Sequence, residues 1–452
     1  MTGPTSDQPA TPPRAETLPV LVVGRPQRVT AAMPAGAPAI SADGRYVAFV
    51  SESGDLVEGD NNGAADVFVR DMVANRTMLV SRSRFGGSPA GSSLQPSISA
   101  DGQVIAFTSS APDLVPGDWN GTLDVFVHDL RTGRTELVSR GAGGELADND
   151  SFSPSLSADG QHVAFSSLAT NLDPRDLDPS PDVYLHDRRT RRTMLVSVSS
   201  TGQLGDGPSG QPSVSGDGRL VAFTSAASNL DPDDANGVAD VYVHDVETGA
   251  TELVSRGLDG VAADGLSSEP AISADGTAVA FTSSADDLVP EDDNGADDVF
   301  VHRLDPGSDE DRMRMVSTAL DGGPASGASH GPSISGDGRR VTFLSTAGDL
   351  TLPGAAAEDA DATQRDGAYV RDLDGAGTAL VSTAADRVPG DGETIAAVIS
   401  DSGTRVAFAD TSTDLAGQAD SDGAEHVYVS SVRTASVPAP TPPVSARRRR
   451  RR

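Results

Sequence analysis

QPSISADGQVIAFTSSAPDLVPGDWNGTLDVFVHDLRTGRTELVS, residues Gln95 to Ser139, is a unit that the chain repeats seven times. Pro38, Pro96, Pro154, Pro212 and Pro270 stand 58 residues apart, Pro332 follows after 62, and a seventh copy, Ala397 to Ser400, lacks the proline. Each unit carries four strand-like runs. A short first run, Pro96 to Ser99, meets the turn Asp101-Gly102; an apolar second run, Val104 to Ser109, leads through an acidic loop to a third, Asp124 to Asp129; Thr132-Gly133 turns into a fourth, Thr135 to Ser139. Asp-Gly between β-prone runs marks a hairpin, because glycine supplies the positive φ that such turns need. No run shows a helical period. Four short antiparallel strands in seven tandem copies specify an all-β fold, a seven-bladed β-propeller.

Three segments follow from this register. Residues 1–17 are rich in Pro, Thr and Ser and are expected to be disordered. The propeller spans residues 18–435, with repeats beginning near 38, 96, 154, 212, 270, 332 and 397. Residues 436–452 form a Pro-rich linker and a tail of six arginines, Arg447 to Arg452. Gln27 to Thr30 holds the place of a fourth strand without the first three, while the seventh unit runs out after Val427 to Ser430. The N-terminal segment is therefore expected to complete the last blade and leave no open edge. The alternative gives that place to Thr434–Val437. Leu18–Val23 reads as an accessory strand.

Composition excludes some chemistry. The chain has no cysteine, so thiolate metal sites and cysteine nucleophiles are absent. All 34 basic residues are arginine and the net charge is −32, a surface that repels nucleic acid and anionic membranes. No stretch is apolar enough for a membrane helix or a secretory leader. The arginine tail reads as a solvated segment contacting its own acidic body, or as a tether to a polyanion.

The motif Ser-x-Asp-Gly, x-(Ile/Val)-Ala-Phe-x-Ser, Asp-Val-(Phe/Tyr)-Val-x-Asp, Thr-Gly, Leu-Val-Ser resembles the TolB-type, WD40-like propeller repeat over residues 28–432. The resemblance implies a bacterial, extracytoplasmic propeller and a scaffold that binds other molecules. Ile or Val replaces the aromatic that often precedes the family's Ser-Pro-Asp-Gly. No counterpart of TolB's separate N-terminal domain is seen, so TolB's partners are not carried over.

The loop between the second and third strands is the one constellation with chemistry. It carries Asp55, Asp60, Asn62 and Asp66 in the first unit and Asp113, Asp118, Asn120 and Asp124 in the second. The third has Asp176, Asp178 and Asp182, the fourth Asp234, Asn236 and Asp240, and the fifth Asp292, Asn294 and Asp298. Hard cations such as Ca²⁺ take several carboxylate and carbonyl oxygens from tight loops, which makes these residues candidate calcium ligands of low affinity. Asp and Asn also form turns by bonding their own backbone, which is the structural alternative. Strand direction places all these loops on one face with the long blade-to-blade connections. The leading functional expectation is a noncatalytic scaffold that binds a protein or glycan through this acidic face; the alternative is a propeller hydrolase acting on a glycan. No catalytic residue is assigned. Ser41, Ser99, Ser157, Ser215, Ser273, Ser335 and Ser400 read as small channel residues. His128, His186, His244 and His302, in separate blades, read as packing residues.

Overall fold

The computed structural model describes residues 17–29, 37–304, 312–351, 365–375, 377–384, 388–415 and 424–438. Residues 1–16 and the 439–452 tail lie outside this set, as do most of the sixth-blade insertion and Asp420 and Asp422 of the seventh loop. The repeat folds as seven four-stranded antiparallel blades in a ring, with no helix among the described residues. In the second blade Ser93–Ile98 is the inner strand, followed outward by Val104–Ser109, Asp124–Asp129 and Arg134–Leu137.

Blade closure follows the expected route. Gln27 and Arg28 pair with Val429 and Tyr428, and the Val29 amide donates to the Val427 carbonyl. Thr434–Val437 does not take that place. It belongs to the long strand His426–Pro438, whose outer half pairs with Thr17–Val23. That pairing carries strand structure one residue before and three residues beyond the propeller bounds expected from sequence, because each segment satisfies the other's backbone groups.

The core is built by repetition. The Phe of each second strand faces a Phe or Tyr of the third, as in Phe107 with Phe126 and Phe165 with Tyr184, with ring centroids 5.8 and 5.9 Å apart. Flanking Val and Ala side chains pack between neighbouring blades and are almost wholly buried.

Backbone bonds link the blades around the axis on the turn face. The Ala42 amide donates to the Ala100 carbonyl, Ala100 to Ala158, Ala158 to Gly216 and Gly216 to Ala274; Asp275 then donates to Gly336, Gly336 to Asp401, and Ser402 back to Ala42. These seven bonds of 2.9–3.0 Å form a continuous belt. Small residues stand there because the backbones touch: a Cβ on Gly216 would lie 2.7 Å from the Ala274 carbonyl oxygen. The seven repeat serines have a more specific role than filling space. The Ser99 hydroxyl donates to Asp101 at 2.7 Å and accepts the Val104 amide, locking the hairpin, and the other blades repeat this arrangement except the seventh, where Ser400 meets Ser402.

Candidate functional site: the acidic loop face

The opposite face gathers the acidic loops. Their last aspartate opens the third strand and is buried: Asp66, Asp240 and Asp298 are 0% exposed and Asp124 is 1% exposed. Each accepts a serine hydroxyl from beyond its outer strand, as Asp66 does from Ser81 at 2.7 Å and Asp124 from Ser139 at 2.6 Å. The same serine oxygen accepts the next strand amide, so it ties the two outer strands together. The second carboxylate oxygen accepts the loop asparagine: Asn62 to Asp66 and Asn120 to Asp124 at 2.8 Å, Asn236 to Asp240 and Asn294 to Asp298 at 2.6 Å. The asparagine is thus a donor to the aspartate, and its amide also holds the following blade connection through Pro89, Ala147, Ala263 or Ala325. In the third blade Asp178 replaces it, and Asp182 keeps its serine, Ser197.

The first aspartate of the loop differs between blades. Asp176 and Asp234 accept the hydroxyls of Tyr184 and Tyr242. In blades one, two and five the tyrosine is Phe68, Phe126 or Phe300, and Asp60, Asp118 and Asp292 receive no such hydroxyl. Asp292 is 8% exposed and its Oδ1 has no partner; the Asn120 Oδ1, beside Asp118, is buried without one too. Burial pushes Asp118 and Asp292 up to about 6, and Asp66, Asp182, Asp240 and Asp298 to the same level despite their serine bonds. Among the described residues no three His, Asp or Glu side chains come together as a metal cluster. A cation here would rest on two carboxylates completed by amide or backbone oxygens.

The residue that precedes this loop motif has a clear structural use. Asp113 accepts the Ala90 amide at 2.9 Å, Asn171 the Asp148 amide and Asn229 the Asp206 amide at 3.1 Å each, latching the loop to the connection that leads into its blade. Asp55 instead accepts the Ser53 hydroxyl.

The sevenfold pattern breaks at the axial mouth. In the sixth blade His330, on the inner strand Ser329–Ile334, meets Asp366 with Nε2 to Oδ2 at 3.1 Å. That bond raises the imidazole above its ordinary value, with Glu269 and Asp297 of the fifth blade adding to it. Glu269 accepts the Gly331 amide and the Thr282 hydroxyl at 3.0 Å, which places it against His330. The residue before the third strand is Ala65, Leu123, Pro181 and Ala239 in blades one to four, but Asp297, Asp366 and Glu425 in blades five to seven. His330 falls outside the histidines that recur every 58 residues, so the repeat gives no signal for it. In the seventh blade the buried carboxylate has changed strands: Asp410 takes the place of a serine and pairs across from His426, which contacts the Arg28 guanidinium at 2.9 Å. The four spaced histidines are packing residues, and His128, His186 and His244 each bond a threonine of the outer strand.

No family model matches the chain, and no curated protein matches it. Solved structures do. TolB from Acinetobacter baumannii is 19% identical over 75% of this chain and 63% of its own, with a TM-score of 0.39. Oligogalacturonate lyase from Vibrio parahaemolyticus is 12% identical over 92% and 98%, with a TM-score of 0.52. A prolyl endopeptidase is 14% identical over 91% of this chain and 51% of its own, with a TM-score of 0.51. The chain thus spans less than two thirds of that TolB's length. At this identity the similarities to the lyase and the endopeptidase bear on fold alone, a β-propeller.

Proposed function

We propose that the chain is a noncatalytic binding propeller that engages a protein or glycan through its acidic loop face, with Ca²⁺ neutralising the buried loop carboxylates. The difference between the two faces carries this reading. The turn face is a regular belt of backbone bonds, whereas the loop face gathers the buried acidic loops and the unsymmetrical group of His330, Asp366 and Glu269. Ca²⁺ would be held at Asp60, Asp118 and Asp292, with the Asn120 amide oxygen completing the second site. Blades three and four already satisfy the same aspartate with tyrosine. Affinity at such two-carboxylate loops is expected at about 10⁻⁴ to 10⁻³ M.

The test is a panel of neutral glycans and basic peptides titrated against the native chain and two variants. Asp366→Asn with Glu269→Gln, on the loop face, should weaken binding about tenfold or more; Asp43→Asn, on the turn face, should leave it unchanged. Equal loss in both, or loss only in the second, contradicts the reading.

A second reading has one observation in its favour. The His330–Asp366 pair beside Glu269 supplies a proton-carrying group next to a carboxylate, the minimum for acting on a glycan. Turnover of a polysaccharide panel by the native chain, abolished by His330→Ala, would establish it; the absence of turnover across the panel would remove it.

A further inference from the structure

On the outer rim, between blades one and two, lies a groove of about 760 Å³. Arg76, Arg82, Arg84 and Arg134 line it, and Glu58 is its single acidic residue. None of these four arginines forms an ion pair within the described chain, although the net charge is −32. Sparse arginine in so acidic a protein would be expected to find carboxylates, and the repeat provides an internal control. The residue equivalent to Arg82 in blade four is Arg256, which pairs with Asp231 at 2.7 Å and Asp233 at 2.9 Å. The positions equivalent to those aspartates are Val57 and Gly59 in blade one, and Val115 and Gly117 in blade two. The acids are missing where the groove is.

A second groove, of about 410 Å³, continues the first between blades two and three. The two share Pro116, Arg134 and Thr135, and the second adds Arg140 and Arg191. Its Arg188 is the exception, being paired with Glu136. Beside the first groove Phe85 is 76% exposed and stacks with the Arg84 guanidinium, centroid distance 4.6 Å.

We infer that this trough is a binding site for a short, linear oligosaccharide that carries carboxylate or sulfate groups. Planar guanidinium forks match such oxyanions in two-point geometry. The trough has the volume of a small-ligand site and not of a macromolecular interface. The surrounding acidic surface repels long polyphosphate chains, which disfavours nucleic acid. Phe85 offers an apolar face, and Thr77, Ser83 and Thr135 offer hydroxyls, as a sugar ring with alternating apolar and polar surfaces requires.

The test is calorimetric titration of the intact chain at low salt. The probes are a carboxylated oligosaccharide, a sulfated oligosaccharide, an oligoglutamate peptide of matched charge and inorganic phosphate. The site predicts binding of at least one charged sugar, weakened about tenfold or more by Arg82→Ala with Arg134→Ala and little changed by Arg256→Ala. All three arginines lie at the surface, and circular dichroism checks that the variants fold. The inference is overturned if neither sugar binds at millimolar concentration, if the double variant binds as well as the native chain, or if oligoglutamate binds as tightly as the sugars. Phosphate binding alone would reduce the trough to an unspecific anion site and overturns it equally.

Discussion

Asp118 and Asp176 occupy the same position in successive blades, and a tyrosine hydroxyl is one of the differences between their environments. The Tyr184 hydroxyl donates to Asp176, whereas Phe126 leaves Asp118 without that bond. Phe126→Tyr is therefore expected to stabilise the chain in the absence of metal and to remove the second blade's response to calcium, both readable by thermal unfolding. Tyr184→Phe should cost about 1–3 kcal/mol near neutral pH, the penalty for stripping a donor from a buried carboxylate. A second residue contrast lies in the third strands. His128 bonds Thr135, but both ring nitrogens of His302 are buried without a partner, because Met313 stands in the threonine's place. His302→Leu should be neutral or stabilising by about 1 kcal/mol, while His128→Leu should destabilise, as denaturant midpoints would reveal. The spacing of the acidic loop was legible from sequence; the roles within it were not. Ser81 lies 15 residues beyond Asp66 and reaches it only once the outer strands are paired, and an asparagine beside an aspartate reads equally as ligand or as donor.

Strands and their turns were legible because Asp-Gly and short β-prone runs are local signals. The closing strand was legible too, since an unpaired fourth run at the start complements a truncated unit at the end. The inner strand was less so. Gln95, Ser153, Gln211 and Glu269, each preceding the repeat's proline or its counterpart, adopt φ of 52 to 56° and introduce a bulge, a conformation that residues before proline rarely take. The Gln95 side chain repays it by bonding Thr108 of its own blade and the Ser153 amide of the next. Ser93 bonds Ser109 across the strands at 2.9 Å. The belt on the turn face was invisible in sequence beyond a preference for Ala and Gly, because its bonds join positions a whole repeat apart. Gly216→Val should destabilise by about 1–3 kcal/mol through the Ala274 carbonyl and Ala158, while Ala100→Gly should cost less; urea unfolding of the two variants decides this.

At the scale of the molecule, buried carboxylates set how stability depends on pH. Asp66, Asp118, Asp182, Asp240, Asp292, Asp298 and Asp410 are raised to about 6 by burial, above the ordinary carboxylate value of about 3.9. Their protonation favours the fold, so this contribution is complete below pH about 4 and is lost as pH rises through about 6. His128, His186 and His302, pushed down to about 4, oppose part of it between about 6.5 and 4. Asp71 and Asp245, held low by Arg45 and Arg219, withdraw their support below pH about 4. Without divalent cations the melting temperature should therefore be higher near pH 5 than at pH 8. A maximum at pH 8 would contradict the buried-carboxylate reading.

A cation would take the place of those protons, and its effect should be largest where they are absent. The decisive measurement is thermal unfolding of the metal-stripped chain at pH 8, titrated with Ca²⁺ and with Mg²⁺ as control, and repeated for Asp118→Asn and at pH 5. The expected result is a calcium-specific rise on the order of 5 °C at about 10 mM, smaller in Asp118→Asn and nearly gone at pH 5. No shift with calcium at pH 8, or an equal shift with magnesium, would contradict cation binding by the loop face and leave its aspartates as turn and latch residues.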